Sequence, residues 1–546
     1  SPGSSPSSVT QSSLTLNTAS QTGDWQALQT VTLDLGFSSA DGAGFIAELA
    51  QPVALGAAAG VPVNNSPVPS GYTLTPLVTT FYDNYNWLSG SNLPATLDNT
   101  YTGNSSYFIT SYNSAPSYAL PMVQSKEILG RVTGQMVQVL GSPGKYLYAV
   151  NFYDDHGNVI QSQSTNLSGG RDITSKQYDW SSKVLRTLTV HSKNGAYPSA
   201  QTHLVASTIN YDAQGRVLSV VKTINSTING TSVSTPPTTI VANQYNEAEQ
   251  LKQKTLGNNM ETLTYEYNIR GWLLGVNRAY AKSAAQTSNY FGFDLGYDKG
   301  AIQDGSGTTI GSYAAPYYNG AVAGMLWKTK GDNQLRKYDY VRDAVNRLQT
   351  ADFNQQTGGT FNKSAGLDFS LGGMSYDNNS NIKGMSQNGW LLGGSQTIDN
   401  LSYYYLNTNN SNRLMNVMDN SPYNASHPQS TLGDFSYAGS KTAATTVDYS
   451  YDANGNITSD ANRAVSSIAY NYIDLPQLIT MTGGKGTIQY VYDAAGNKLQ
   501  KIVTENNVPV NYNGTNYTTN ITTTTSYIGD CIYKTLTYSH LALSAL

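Results

Sequence analysis

Charge, cysteine and long apolar runs are all scarce in this sequence. Only 12% of its 546 residues are Asp, Glu, Lys or Arg, about half of the ~25% usual for a soluble globular chain. With 35 acids against 31 bases the net charge is −4, and no block of like charge stands out. Phosphate recognition needs a clustered basic face, so nucleic acid is excluded as a partner. The single cysteine, Cys531, excludes an internal disulfide framework and a cysteine-based zinc cluster. The longest apolar run, around Pro52 to Val61, falls well short of the ~20 residues of a membrane-spanning helix, and a soluble chain is expected. The chain begins "SPGSSPSS" without methionine, which raises the expectation that a leader or upstream region precedes it.

Tyrosine and glycine are abundant instead, at 41 and 50 residues. Aromatic residues suit a pleated, half-buried surface and glycine suits turns, so the composition points to sheet. Residues 1–23 are Ser/Thr/Pro-rich and read as a tethering lead-in. Residues 24–55 hold two alternating apolar segments joined by "SSADGA" and read as a small β module. Residues 56–71 have linker composition.

From residue 72 internal repetition dominates. Tyr, then Asp or Asn, two variable residues, a turn residue, a polar residue and Val, Ile or Leu recur at Tyr153 (YDDHGNV), Tyr178 (YDWSSKV), Tyr211 (YDAQGRV), Tyr245 (YNEAEQL), Tyr267 (YNIRGWL), Tyr376 (YDNNSNI), Tyr451 (YDANGNI), Tyr472 (YIDLPQL) and Tyr492 (YDAAGNK). Degenerate copies stand at Arg342 (RDAVNRL) and Tyr405 (YLNTNNSNRL). Most spacings are roughly 20 to 34 residues, the span of one strand-turn-strand unit. Within a copy, Asp154, Asp212, Asp377, Asp452 or Asp493 can fold its carboxylate onto the backbone as an Asx-turn. Gly157, Gly215, Gly271, Gly455 and Gly496 offer the positive φ that bulkier residues resist. Two segments, "AQTHLVAST" and "NEAEQLKQKTLG", carry weak helical signals, but each abuts a motif and strand is the better reading.

The chemical alternatives fail on spacing. In "YDNNSNIKGMSQN" Asp377 could open a calcium loop, yet Ile382 and Asn388 occupy the positions that need Gly and Glu. There is no Gly-x-Ser-x-Gly elbow, and His156, His191, His203, His427 and His540 form no His-x-x-x-His or His-Glu pair. His156 reads as a solvent-exposed turn residue, Cys531 as a packed thiol, and "TGGKGT" at 482–487 as a hairpin turn. No catalytic residue, metal or other cofactor is expected. Trp272 and Trp390, each in a "GWLLG" run, are candidate glycan contacts, with packing at repeat junctions the more ordinary role. The many Asn-x-Ser/Thr triplets are expected from composition.

The tandem copies, with "ETLTYEYNIRGWLLGVNRAYAKS", "NYFGFDLGYDK" and "RKYDYVRDAVNRLQTADFN", resemble the Rhs/YD-repeat family, which includes bacterial polymorphic-toxin shells, insecticidal toxin-complex C components and teneurins. The resemblance covers about residues 76 to 533. It implies an all-β fold in which repeat hairpins form a spiralling, shell-like sheet, a hollow cocoon or part of one. By that resemblance residues 72–533 are the wall, and residues 534–546 are a tail beyond which the family's core and toxin region is absent. Asp530 does not sit in the family's self-cleavage motif and inherits no role. The leading expectation is a non-enzymatic, secreted bacterial wall that encapsulates or presents a toxin or effector polypeptide. The alternative is an extracellular or cell-surface adhesion or fibre protein that binds glycans or self-associates through its sheet. A glycan hydrolase ranks last, because the acids stand mainly in turn slots.

Overall fold

The structure is a computed structural model. It describes residues 75–195, 199–391, 393–421, 435 and 446–544, together with four earlier strands. The chain divides into two compact units, Ser1–Thr75 and Pro76–Leu546. In the first, Ser13–Leu16 pairs parallel with Thr30–Leu33, and Gly23–Ala27 pairs parallel with Phe45–Leu49. The segment read as a lead-in therefore contributes a strand, while the rest of the lead-in, module and linker lies outside the described residues.

The second unit is built from one local device. At Tyr211, the strand Gln201–Tyr211 ends in a bulge that sets Tyr211 opposite Val217, the first residue of Val217–Ile228. Between them, the Asp212 carboxylate accepts the N–H groups of Gln214 (3.0 Å) and Arg216 (2.8 Å). Gly215 sits at φ +83° and donates its N–H to the Asp212 carbonyl at 3.0 Å. These bonds satisfy the donors that the turn takes out of the ladder. The same bulged pairing joins Tyr153 to Val159, Tyr267 to Leu273, Tyr376 to Ile382, Tyr451 to Ile457 and Tyr492 to Lys498.

Consecutive copies are tied through the tyrosine hydroxyl. Tyr211 donates to the carbonyl of Val184 at 3.0 Å, and Val184 opens the outgoing strand of the preceding copy. Tyr178 does so to Val159 (3.0 Å), Tyr245 to Val217 (3.0 Å), Tyr376 to Leu348 (2.6 Å), Tyr405 to Ile382 (2.8 Å) and Tyr451 to Leu414 (2.8 Å). Where arginine precedes that apolar residue, its guanidinium lies over the next copy's tyrosine, as Arg216 does over Tyr245 and Arg347 over Tyr376, each at 4.5 Å. A Tyr211→Phe substitution keeps the ring and loses one such bond, so it is expected to cost about 1 kcal/mol in urea unfolding.

Tyrosine corners at Tyr82 and Tyr470 escape a reading of the motif. Tyr82 pairs with Val132 across a bulge, and the Asp83 N–H donates to the Arg131 carbonyl at 3.2 Å, so residues 84–130 are an insertion inside a first corner. Near the C-terminus the corner belongs to Tyr470, not Tyr472. The Asn471 side chain accepts the N–H groups of Ile473 (3.1 Å) and Leu475 (3.0 Å), and Tyr470 donates to Ile457 at 2.8 Å. Tyr472 is 64% exposed.

Added corner by corner, the second unit is an all-β, shell-like fold of antiparallel sheets. From Val78–Tyr82 to Leu414–Asp419 strands pair mostly with their sequence neighbours, and Phe291–Gly296 pairs with Gly324–Thr329 past a separate hairpin of Ala301–Gln303 and Thr309–Ser312. An eight-stranded sheet from Tyr449–Tyr451 to Cys531–Tyr538 follows. The Asp448 N–H, bonded to the Met415 carbonyl at 2.9 Å, links the two. Both segments with weak helical signals are strand or turn, Gln201–Tyr211 and Leu251–Leu256 being strands. The strand Cys531–Tyr538 runs past the boundary expected at 533.

The wall is thin. Gln201–Tyr211 and Val217–Ile228 contain no buried residue on either face, as a single sheet exposed on both sides must show. Among the described residues, three core clusters form where an irregular segment folds over the sheet. Leu88, Leu93 and Leu97 cover Val150, Phe152 and Ile160, and Phe108 and Met122 cover Leu188. Ile302, Tyr313 and Ala323 cover Leu326 and Leu335. At Gly496, φ is +88° and a Cβ would meet nothing closer than Leu475 at 3.7 Å. Gly496→Val therefore carries backbone strain without a clash, an expected cost of about 1–3 kcal/mol read as a lowered melting temperature.

Candidate functional site

The end of the second unit comes back to its beginning. The corner at Tyr492 and Asp493 meets the turn after Val132–Gln138. Val139 bridges Asp493, the Leu140 N–H donates to the Tyr492 carbonyl at 2.8 Å, and the Ala494 N–H donates to the Gln138 carbonyl at 2.8 Å. Two cavities, of about 420 and 320 Å³, open along this seam. The first is lined by Leu147 and Asp172 from one side and Leu499 and Ile528 from the other. The second has Lys193 facing Tyr533.

Beside these backbone bonds lies a chain of side chains. Asp172 comes from Arg171–Tyr178, His191 from Val184–Lys193 and Tyr533 from the last strand, Cys531–Tyr538. The Asp172 Oδ1 is 2.5 Å from His191 Nδ1, and His191 Nε2 is 2.9 Å from the Tyr533 hydroxyl. Burial, reinforced by Cys531 and Asp172, raises the Tyr533 pKa, so the phenol keeps its proton. His191 is 3% exposed and both of its ring nitrogens are occupied. The His203 ring stacks on it at 6.0 Å, with a pKa lowered by burial and by His191 itself. Burial lowers the pKa of Lys193, whose Nζ lies 5.6 Å from the Tyr533 ring centre. Cys531 is half-buried and its thiol is pushed up by burial, against a hydrogen bond with Tyr533. The arrangement holds strands from opposite ends of the unit together, and it keeps the thiol protonated.

Motif residues elsewhere are not gathered into one place. Tyr153, Asp154 and Gly157 make one corner, and Tyr211, Asp212 and Gly215 the next but one; Tyr267 with Gly271, Tyr376 with Asp377, and Tyr451 with Asp452 and Gly455 each make their own. Only Tyr492, Asp493 and Gly496 form a corner that also lies on the seam. Asp154, Asp155 and His156 lie close enough together to suggest a cation site. Both Asp154 oxygens, however, already accept from Asn158, at 2.7 and 3.0 Å. Asp377 likewise accepts from Asn379 and Asn381. Trp272 packs at 5.4 Å against Tyr297 with the Arg270 guanidinium 5.0 Å over it. Trp390 is 46% exposed near the tip of the hairpin between Ile382–Leu391 and Gly394–Tyr405. The two tryptophans thus occupy unlike settings, one packed and one open.

Comparison with known proteins adds little. The chain matches no protein-family model and no curated protein. Among solved structures it is similar to TcdB2-TccC3 without its hypervariable C-terminal region, at 12% identity and a TM-score of 0.38, over 76% of this chain and 19% of that one. A second TcdB2-TccC3 structure gives 12% identity and a TM-score of 0.26, over 77% of this chain and 25% of that one. A Tc holotoxin pore of Photorhabdus luminescens carrying a TccC3 substitution gives 12% identity and 0.22, over 72% and 24%. This chain therefore spans about a fifth of the first structure's length. At this level of likeness its role has to be read from its own geometry. Among the described residues no helix is long and apolar enough to cross a membrane.

Proposed function

We propose that the second unit is a wall segment of a β-shell that encloses or presents a polypeptide outside the cell, without catalysing a reaction. The observation that carries this reading is the seam. A strip whose last strands bond to its first through Val139, Leu140, Asp493, His191 and Tyr533 divides space into two sides. A thin sheet with two half-exposed faces suits a partition better than a packed core. The sequence resemblance to Rhs/YD-repeat shells points the same way and suggests a toxin or effector as the enclosed polypeptide. Adhesion through Trp272 and Trp390 has less support, since Trp272 is packed.

Small-angle X-ray scattering on the purified chain tests the proposal. A hollow wall predicts a pair-distance distribution with its maximum shifted towards long distances, as a shell has. A distribution typical of an elongated strip or a filled globule would contradict it.

A further inference from the structure

A cleft of about 670 Å³ lies against the turn between Val159–Thr165 and Arg171–Tyr178. Its floor continues the face that carries the Phe152 core. Tyr146 and Tyr148 stand on the same side of their strand as Val150 and Phe152. The covering insertion reaches the cleft only with its loop at Gly90, Ser91 and Asn92, and so leaves the two tyrosines partly open. Their rings are 6.5 Å apart at 51°.

The walls are polar and held in place. Asn166 accepts the N–H groups of Ser168 and Gly170, each at 3.1 Å, and donates to the Ser192 carbonyl at 2.9 Å. Asn194 donates to the Gly169 carbonyl at 2.9 Å. The Arg171 guanidinium bonds Gln163 (3.3 Å) and Asp98 (3.1 Å), which leaves donors over and balances its charge from behind. Lys145 is exposed at the rim of a turn fixed by bonds between Lys145 and Val139 (2.8 Å) and Ser142 (3.0 Å). Among the described residues no acid lines the cleft.

We infer that this cleft binds an acidic oligosaccharide, with sugar rings against Tyr146 and Tyr148 and a carboxylate at Lys145. Amphipathic tyrosine rings suit the apolar faces of sugars, and fixed hydroxyls and amides suit their hydroxyl groups. One uncompensated cation selects an anion, and a preformed site loses little entropy on binding. A peptide strand fits less well, because such recognition uses a free sheet edge; residues 146–148 pair with Val132–Gln138 on one side, and on the other Thr165 Oγ1 already takes the Tyr148 N–H at 2.9 Å.

Calorimetric titration of the full chain with an alginate tetrasaccharide provides the test, with chitotetraose and tetraglutamate as neutral-sugar and acidic-peptide comparisons. The expected result is saturable 1:1 binding of the alginate fragment, weakened about tenfold by Lys145→Glu and lost in Tyr146→Ala, with unchanged circular dichroism. Lys145 is exposed on a turn, so its variant keeps the test valid if Tyr146→Ala unfolds. The inference is overturned if the alginate fragment does not saturate, if Lys145→Glu leaves its affinity unchanged, or if either comparison ligand binds as tightly.

Discussion

Tyr533→Ala is expected to lower the stability of the chain by about 3–5 kcal/mol in urea unfolding, the range for removing a large buried aromatic side chain. Tyr533 is 8% exposed and stacks 5.9 Å from His191, so its loss opens a hole between the last strand and the first ones. It also takes the hydroxyl away from His191 Nε2, leaving a buried ring nitrogen without that hydrogen bond. Tyr533→Phe separates the two effects. It keeps the packing and should cost about 1–3 kcal/mol, the desolvation penalty of one unpaired polar group. Equal, small effects of both variants would mean that the side chain does not hold the seam.

Phe152→Ala is the second large expected effect, again about 3–5 kcal/mol, read as a fall in melting temperature. Phe152 is fully buried, 5.4 Å from the Tyr85 ring and beneath Leu88, Leu93 and Leu97. In most of this wall an apolar side chain keeps water on one side, and truncation forfeits only part of its transfer free energy. Here the insertion inside the first corner supplies the second layer. The paired control is Ile209→Ala, on a strand with no buried residue, which should cost clearly less. Similar losses at both positions would show that the thin-wall description is wrong.

These effects bear on how far the sequence alone could go. Corners were legible because their chemistry is local. The carboxylate or amide directly after tyrosine closes the turn on residues two and four further along, as Asp212 does on Gln214 and Arg216. The same rule explains the misplacement at Tyr472: in "YNYIDL" both tyrosines precede a polar residue within reach, but only Tyr470 has the turn-closing amide next to it, at Asn471. The Tyr82 corner was hidden because its two halves are separated by the insertion at 84–130. At Asp304 the carboxylate makes the same contacts with Ser306 and Thr308, yet no tyrosine precedes it to mark the copy. The seam was beyond reach of pattern. His191 and Tyr533 lie 342 residues apart, and nothing in the pattern around either points to the other. The tie between copies, tyrosine hydroxyl to the preceding copy's first strand residue, likewise joins groups that only register brings together.

Amide hydrogen exchange at Leu140 and Ala494 tests the central claim most directly, that the strip closes on itself. Their N–H groups bond across the seam, to Tyr492 and Gln138. With the seam formed, both should exchange at least about a hundredfold more slowly than unprotected amides, and Tyr533→Ala should return them towards the unprotected rate while amides within Gln201–Tyr211 stay slow. Unprotected exchange at Leu140 and Ala494 in the unmodified chain, alongside slow exchange within its strands, would contradict closure.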